Sequence, residues 1–327
     1  MVVSSSRKPN SATRDLEADL RASVGGEVRF DAVSRQMYST DASIYQMEPV
    51  GVVIPRDADD VSAVLEIATK NGVSVLPRGG GTGLSGQTIN NAVVIDFSKY
   101  MFNVQEINKE EQWVRTQPGV TIDDLNRQLR PSGLFFTSDP STSSRANIGG
   151  AMGNNSCGAH SIVYGKTVDH VQEMSVVLSD GTRTAFEQLS ADMLGSKLKL
   201  SGLEGQIYNQ INEIARNAAA EVDKRFPKIL RRVGGYNLDL IQNNEALNLV
   251  KLMVGSEGTL VAVTEAKLNI EPIPAVKGLA VLHFTDIVAA MEATVATLEL
   301  NPAAVEHMGD MIISQARKSL GFARNLT

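Results

Sequence analysis

Residues 73–88 read VSVLPRGGGTGLSGQT. Pro77, Gly79, Gly80, Gly81, Gly83 and Gly86 fall within ten positions, directly after the apolar run Val73 to Leu76. Glycines there let backbone N–H groups come close to a ligand, because no Cβ intervenes and positive φ is accessible. Successive N–H groups in such a loop form a concavity that takes an anion. The stretch therefore predicts a site for a phosphate-bearing ligand. The spelling Gly81-Thr82-Gly83-Leu84-Ser85-Gly86 fits G-x-G-x-x-G, but the dinucleotide fingerprint needs a helix at the third glycine and an acidic residue about 20 positions on. Here a second apolar run, Ala92 to Phe97, follows instead, and Asp96 comes too early. Gln87 and Thr88 stand where a P-loop would carry Lys and Ser/Thr. The expectation is a phosphate loop between two strands.

Two further segments have the same character. Residues 139–166 read DPSTSSRANIGGAMGNNSCGAHSIVYGK, small and polar apart from a few apolar anchors such as Ile148, Met152 and Tyr164. A long loop of this make-up in a compact domain is functional or disordered, and the anchors argue against disorder. Residues 254–260 read VGSEGTL and open a strand to about Ile270.

Length, charge and composition narrow the classes. The 327 residues suffice for two or three subdomains with a large core. Hydrophobic and charged fractions of 43% and 21% are those of a globular protein. A net charge of −6 gives no reason to expect nucleic acid. With Cys157 as the sole cysteine no intramolecular disulfide can form, which is compatible with a reducing compartment. No apolar run is long enough to cross a membrane. The tail MVVSSSRKPNSATR lacks a signal-peptide core and reads as frayed.

Periodicity places the elements. Residues 13–24 form a helix with Leu16, Leu20 and Val24 inward. Strands at 52–54, 73–76 and 92–97, with a helix from Asp57 or Asp59 to Lys70, make a βαββ unit. A hairpin spans 104–117 and includes Trp113. Asp123 and Asp124 open a short helix ending at Leu129, where carboxylates suit the positive end of the dipole. Strand 171–178 turns at Ser179-Asp180-Gly181, and 186–250 reads as mostly helical. Strand 278–284, helix 286–299 and a strand near 303–307 complete the chain.

The three glycine-rich segments, in this order, resemble the flavin-binding domain of FAD-linked oxidoreductases related to vanillyl-alcohol oxidase. Within them the chain most resembles the D-lactate, glycolate and D-2-hydroxyglutarate dehydrogenases, in particular the long bacterial members fused to an iron–sulfur domain. The segment Arg231-Arg232-Val233-Gly234-Gly235-Tyr236-Asn237-Leu238 supports that subgroup. The resemblance implies an α+β, PCMH-type FAD-binding fold of two α+β subdomains followed by the start of a ferredoxin-like cap. The boundaries are a helical lead at 1–37, subdomains at 38–100 and 101–275, the second carrying a helical insertion at 186–250, and an incomplete cap at 276–327. A cap this short predicts slow turnover by the chain alone.

By the same resemblance, FAD contacts Pro77, Arg78, Gly79, Gly80, Gly81, Thr82, Gly83, Leu84, Ser85 and Gly86 in the first segment. In the second it contacts Pro140, Ser141, Thr142, Ile148, Gly149, Gly150, Asn154, Ser156, Gly158, Ser161, Tyr164 and Gly165, and near the third Glu257, Gly258 and Val263. Alternatives stay open at several. Arg78 pairs with the pyrophosphate or with a carboxylate. Ser141 and Thr142 bind the flavin or form a turn after Pro140. Asn154, Ser156 and Ser161 bond the cofactor or cap their own loop. Cys157 has no cationic neighbour in sequence and reads as structural. Covalent relatives carry a histidine in the first loop; residues 78–87 have none, so the resemblance implies non-covalent FAD. No metal site is expected, since His160, His170, His283 and His307 lack ligand spacing. Arg231, Arg232 and Tyr236 are candidates for the substrate side, with a basic segment and a core tyrosine as the alternative. The implied reaction passes hydride from a D-2-hydroxy acid to FAD N5 and electrons on to an iron–sulfur partner or carrier. The implied location is cytoplasmic, with membrane attachment through that partner left open. The alternatives are an NADPH-using reductase of the same fold and a non-catalytic FAD-binding protein.

Overall fold

A computed structural model describes residues 11–243, 246–319 and 321–322. The tail ahead of residue 11 lies outside them. The first layer is built from helix α1 (Ser11–Ser23), strand β1 (Glu27–Arg29), helix α2 (Ala32–Met37), strand β2 (Gly51–Ile54), helix α3 (Ala58–Lys70), strand β3 (Val75–Arg78) and strand β4 (Val93–Asp96). The strand order is β1-β2-β4-β3, with β1 antiparallel and the other three parallel. β1 makes the amino-terminal region part of this sheet, where the sequence suggested a helical lead only. Side chains alternate between faces as the strand period of two requires. Val53, Val93 and Ile95 face α1 and α3, whereas Val52, Ile54, Leu76 and Val94 face Tyr38 and Tyr100.

Helix α3 begins where Asp57 caps it, its carboxylate accepting from the N–H groups of Asp59 and Asp60. The expected stripe of Val61, Val64, Leu65 and Ala68 is buried. β3 starts two residues later than the apolar run suggests and takes in Pro77 and Arg78, because its ladder with β4 extends to the Arg78–Asp96 pair. Parallel strands need a long crossover, commonly a helix. Here the glycine loop itself makes that crossover.

The second layer is antiparallel. Strand β5 (Val104–Asn108), strand β6 (Trp113–Thr116), helix α4 (Ile122–Leu129) and strand β7 (Leu134–Phe135) lead to three short helices: α5 (Ile148–Asn154), α6 (Ser161–Tyr164) and α7 (Thr167–His170). Strands β8 (Val171–Val177) and β9 (Arg183–Glu187) follow, then helices α8 (Ala191–Lys197) and α9 (Gly202–Arg225). Strands β10 (Gln242–Asn243) and β11 (Ala246–Leu247), helix α10 (Leu249–Met253), strand β12 (Ala262–Asn269) and strand β13 (Glu271–Pro272) close it. The sheet order is β5-β6-β12-β8-β9. Val177 and Ala262 of this sheet pack into the core beneath α3, and the hydroxyls of Ser62 and Thr69 on α3 donate to the carbonyls of Gly181 and Ser179 in the β8–β9 turn. The two layers thus share one helix.

Two expectations need correction. The insertion 186–250 is helical only at α8, α9 and α10; residues 226–241 form an irregular segment. Residues 278–284 and 303–307 are not strands, although helix α11 (Ile287–Leu298) forms as expected behind its Asp286 cap, and helix α12 (Asp310–Lys318) follows. A strand exists through pairing, and Leu279, Val281 and Leu282 lie exposed with no neighbouring strand among the described residues.

His170, at the end of α7, ties this layer to the glycine-rich segment. Its Nε2–H donates to the Tyr164 carbonyl at 2.7 Å and also meets Thr137 Oγ1 at 2.8 Å. Burial pushes the imidazole below its usual value. An unfolded chain then binds a proton at His170 more readily than the folded one, so stability falls as pH drops below about 6.5. Urea midpoints measured from pH 8 to pH 5 should decline over this window, and His170→Gln should flatten the decline; an unchanged slope in the variant would refute the assignment.

Candidate functional site

A cavity of about 390 Å³ lies between the layers. Three stretches wall it: the loop after β3, the segment from Pro140 to Cys157, and the turn Ser256–Gly258 with Val261 and Val263 behind it. None of the backbone N–H groups of Gly79 through Leu84 has a hydrogen-bond acceptor among the described residues. These residues line the cavity, an arrangement compatible with the anion concavity expected from the sequence. The walls meet closely: a Cβ at Gly80 would overlap the Arg145 carbonyl, and one at Gly258, where φ is +72°, would stand 3.2 Å from the Pro77 ring.

Arg78 lines the cavity and also braces the loop. Its guanidinium donates to the carbonyls of Tyr38 (3.1 Å), Thr88 (3.0 Å) and Thr40 (2.8 Å) and lies 5.3 Å over the Tyr38 ring. It braces the loop from behind. Among the described residues these partners are carbonyls and not a carboxylate.

The expected residues Pro77, Arg78, Gly79, Gly80, Gly81, Thr82, Gly83, Leu84, Ser85, Pro140, Thr142, Gly149, Gly150, Asn154, Ser156, Glu257, Gly258 and Val263 all line the cavity. Gly86, Ser141, Ile148, Gly158, Ser161, Tyr164 and Gly165 do not. Ile148 is core. Ser141 is exposed in the turn after Pro140, as its alternative reading had it. Ser161 Oγ accepts from the Gly158 N–H at 2.9 Å, and Tyr164 meets Phe135 edge-on with ring centroids 5.5 Å apart. Both shape the segment's own fold. Arg232 and Tyr236 are also outside the cavity. Arg232 pairs with Asp239 and stacks over Phe226 at 4.7 Å, while the Tyr236 hydroxyl meets Thr259 Oγ1 at 2.8 Å. Val233, between them, reaches the cavity wall, as does Cys157.

Two wall residues escaped the sequence reading. Asn147 and Asn155 are 3% and 0% exposed, and Asn147 Oδ1 and Asn155 Nδ2 have no partner among the described residues. Unpartnered buried amides are costly. One offers an acceptor and the other a donor beside the same cavity. A run of asparagines among glycines was the available signal, but only the fold distinguishes these two from Asn154, whose amide is already engaged. Among the described residues no cluster of His, Cys, Asp and Glu could hold a metal, and no helix is long and apolar enough to cross a membrane.

Comparison with known proteins agrees with this geometry. Residues 49–186 match the family described as FAD binding domain. Over those residues the chain is similar to an FAD-binding domain. It is 37% identical over 309 residues to D-2-hydroxyglutarate dehydrogenase of Pseudomonas putida KT2440, covering 93% of this chain and 31% of that protein. It is 36% identical over 300 residues to the Escherichia coli K12 protein of the same name, covering 90% and 30%. Glycolate oxidase subunit GlcD of Bacillus subtilis 168 is 31% identical over 303 residues, covering 90% and 53%. The chain thus spans about a third to a half of the length of these relatives. Among solved structures, alkyldihydroxyacetonephosphate synthase superposes with a TM-score of 0.56 at 20% identity, over 84% of this chain and 43% of that one, which shows a shared fold.

Gly80 and Gly150 separate scaffold from ligand wall. Gly80→Val must displace the Arg145 backbone and should lose both FAD and thermal stability. Gly150, in α5, has no heavy atom within 4 Å of the place a Cβ would take. Gly150→Ala should raise stability by up to about 1 kcal/mol through helix propensity, yet weaken FAD binding at least about tenfold by filling cavity space. Titration of flavin fluorescence alongside thermal melts checks both; full FAD affinity in Gly150→Ala would remove that residue from the cofactor wall.

Proposed function

We propose that this chain is the FAD-binding part of a dehydrogenase that oxidises a D-2-hydroxy acid, with D-2-hydroxyglutarate the substrate that the names of its bacterial relatives suggest. The observation that carries the reading is the row of free N–H groups from Gly79 to Leu84 opening on a cavity whose other walls hold two unpartnered buried amides. Bound FAD would supply the hydride acceptor, and the redox chemistry is its own. The chain's residues bind and orient. The N–H groups of Gly79–Leu84 hold the pyrophosphate as fixed dipoles. Asn147 Oδ1 accepts from, and Asn155 Nδ2 donates to, polar groups elsewhere on the cofactor. Phe97, Pro118, Met152, Val261 and Val263 present apolar surface that excludes water from the wall.

Several finer points belong to the same proposal. The FAD is non-covalent, as the absence of histidine from residues 78–87 suggests. Electrons pass to an iron–sulfur partner or another carrier. Cytoplasmic placement is favoured by a cysteine usage that suits a reducing compartment. Arg231, exposed and reaching the Ala159 carbonyl at 3.4 Å, is the cation of the 226–241 segment best placed to meet an anionic substrate, because Arg232 is already paired.

Acid precipitation of the yellow protein should release FAD into the supernatant, whereas colour retained in the pellet would mean a covalent link. The anaerobic full-length protein loaded with FAD should lose its flavin absorbance on addition of D-2-hydroxyglutarate, with D-lactate and glycolate as comparators, and keep it with NADPH. Bleaching by NADPH alone would transfer the protein to the reductase reading.

A further inference from the structure

The glycine loop is held in shape from outside. Residues 79–92 join β3 to β4, and the glycines at its start make that span costly to order. Among the described residues, its internal hydrogen bonds are Ile89 N–H to the Gly86 carbonyl at 3.4 Å and Ser85 N–H to Gln87 Oε1 at 3.2 Å. The stronger ties come from residues 38–47, in the connection from α2 to β2. They bond the loop at its entry, middle and far end. Arg78 Nη2 donates to the Thr40 carbonyl at 2.8 Å, Ala42 N–H donates to the Gly81 carbonyl at 3.0 Å, and Thr88 Oγ1 donates to Asp41 Oδ2 at 2.7 Å. Gly86, with φ of +80°, lies against the Tyr45 ring so closely that a Cβ there would stand 2.8 Å from Cδ2.

The three bonds fall on consecutive residues, and Asp41 is the middle one. Its carboxyl group binds in two directions. Oδ1 accepts from the Ser43 N–H at 2.8 Å, which closes an Asx turn within the strap, while Oδ2 takes the Thr88 hydroxyl. The strap is tied to itself as well: Met47 N–H donates to the Ser39 carbonyl at 2.8 Å, and Gln46 Nε2 donates to Ser39 Oγ at 3.0 Å. Burial opposes the charge on Asp41, but the bonds from Ser43 and Thr88 outweigh it and hold the carboxyl below its usual range. An ionised acceptor makes the stronger kind of hydrogen bond. Thr88 lines the cavity and Asp41 does not. Any influence of Asp41 on a ligand there therefore passes through the loop.

We propose that Asp41 is a positioning residue: through Thr88 it clasps the far end of the glycine loop to the 38–47 strap, and so keeps the N–H row of residues 79–84 in the shape that receives FAD. The inference rests on the FAD reading above for its purpose, though the clasp itself is a property of the protein without ligand. It also gives Thr88 a task. That residue stands where a P-loop carries the hydroxyl that binds a metal ion. Here the hydroxyl goes to a carboxylate 47 positions earlier in the chain, and the anion is left to the backbone.

The test uses Thr88→Val, Thr88→Ser, Asp41→Ala and the Asp41→Ala/Thr88→Val double variant, with two readouts. The first is hydrogen exchange at the Ala42 amide of the ligand-free protein, whose acceptor is the Gly81 carbonyl of the loop. The Met47 amide, bonded within the strap, is the control. Thr88→Val removes the hydroxyl at nearly constant shape. It should accelerate exchange at Ala42 about tenfold or more, the size expected for loss of a hydrogen bond to a charged group, and leave Met47 unchanged. FAD dissociation constants from fluorescence titration, the second readout, should rise by a similar factor. Thr88→Ser keeps the hydroxyl and should match the parent in both. Asp41→Ala also loses the Ser43 turn and should weaken FAD at least as much as Thr88→Val, while the double variant should be no worse than Asp41→Ala, as for two ends of one contact. Unchanged exchange at Ala42 in Thr88→Val overturns the clasp, even if FAD binding weakens, because that pattern marks a direct contact between Thr88 and the cofactor. Faster exchange with unchanged FAD affinity overturns the positioning role, and multiplying effects in the double variant overturn the clasp. If the parent protein takes up no FAD, the FAD reading fails, and the exchange arm still decides the clasp.

Discussion

Close approach of backbone to backbone is the constraint on which the rest of this structure depends. Two sheets of different kinds, one parallel at its centre and one antiparallel, meet with helix α3 between them. Where they meet, the β3–β4 crossover closes on the Arg145 carbonyl just ahead of helix α5, the Gly255 and Glu257 N–H groups bond the α5 backbone, and Gly258 sits against the Pro77 ring. A side chain at Gly80 or Gly258 would part them. The same lack of side chains leaves the N–H groups of the crossover facing open space. Packing and ligand binding therefore select the same residue type at the same positions, which is why the seam is also the site.

The parallel part of the first sheet sharpens this. A crossover between parallel neighbours is commonly a helix, which satisfies its own backbone groups. Replacing it with a glycine loop leaves donors unpaired, and unpaired donors away from water are costly. The structure recovers part of that cost by bracing the loop elsewhere. Arg78 holds its rear to the carbonyls of Tyr38, Thr40 and Thr88, Ala42 N–H donates to the Gly81 carbonyl at 3.0 Å, and within the loop the Ser85 N–H donates to Gln87 Oε1 at 3.2 Å. What remains unsatisfied is the face that an anion would satisfy.

Much of this was legible in the chain because it is local. The strand–loop–strand reading followed from two apolar runs with no helical period between them, and α3 from Asp57 and a 3.6-residue stripe. The glycine-rich segments marked two walls and the GSEGT turn the third. What was not legible depends on partners distant in sequence. Arg78 looked like an anion ligand because its neighbours are glycines, yet its acceptors are carbonyls 10 to 40 positions away. Arg232 looked free until Asp239 and Phe226 folded against it. Asn147 and Asn155 could not be told from Asn154 without knowing which amides remain unpaired. The run 278–284 has strand-forming residues, but no local pattern supplies a second strand.

Anion recognition by backbone has a consequence for how the site discriminates. A side-chain cation is a point charge on a flexible stem that any anion can attract. N–H dipoles fixed by a braced loop act best on an anion of matching shape. Among the described residues, the cavity wall accordingly keeps its one cationic side chain, Arg78, engaged with carbonyls and carries a carboxylate, Glu257, whose charge opposes a phosphate. In such a wall, net attraction comes from geometry and not from charge. On this reading, anything that loosens the loop lowers affinity even where the N–H row itself is intact.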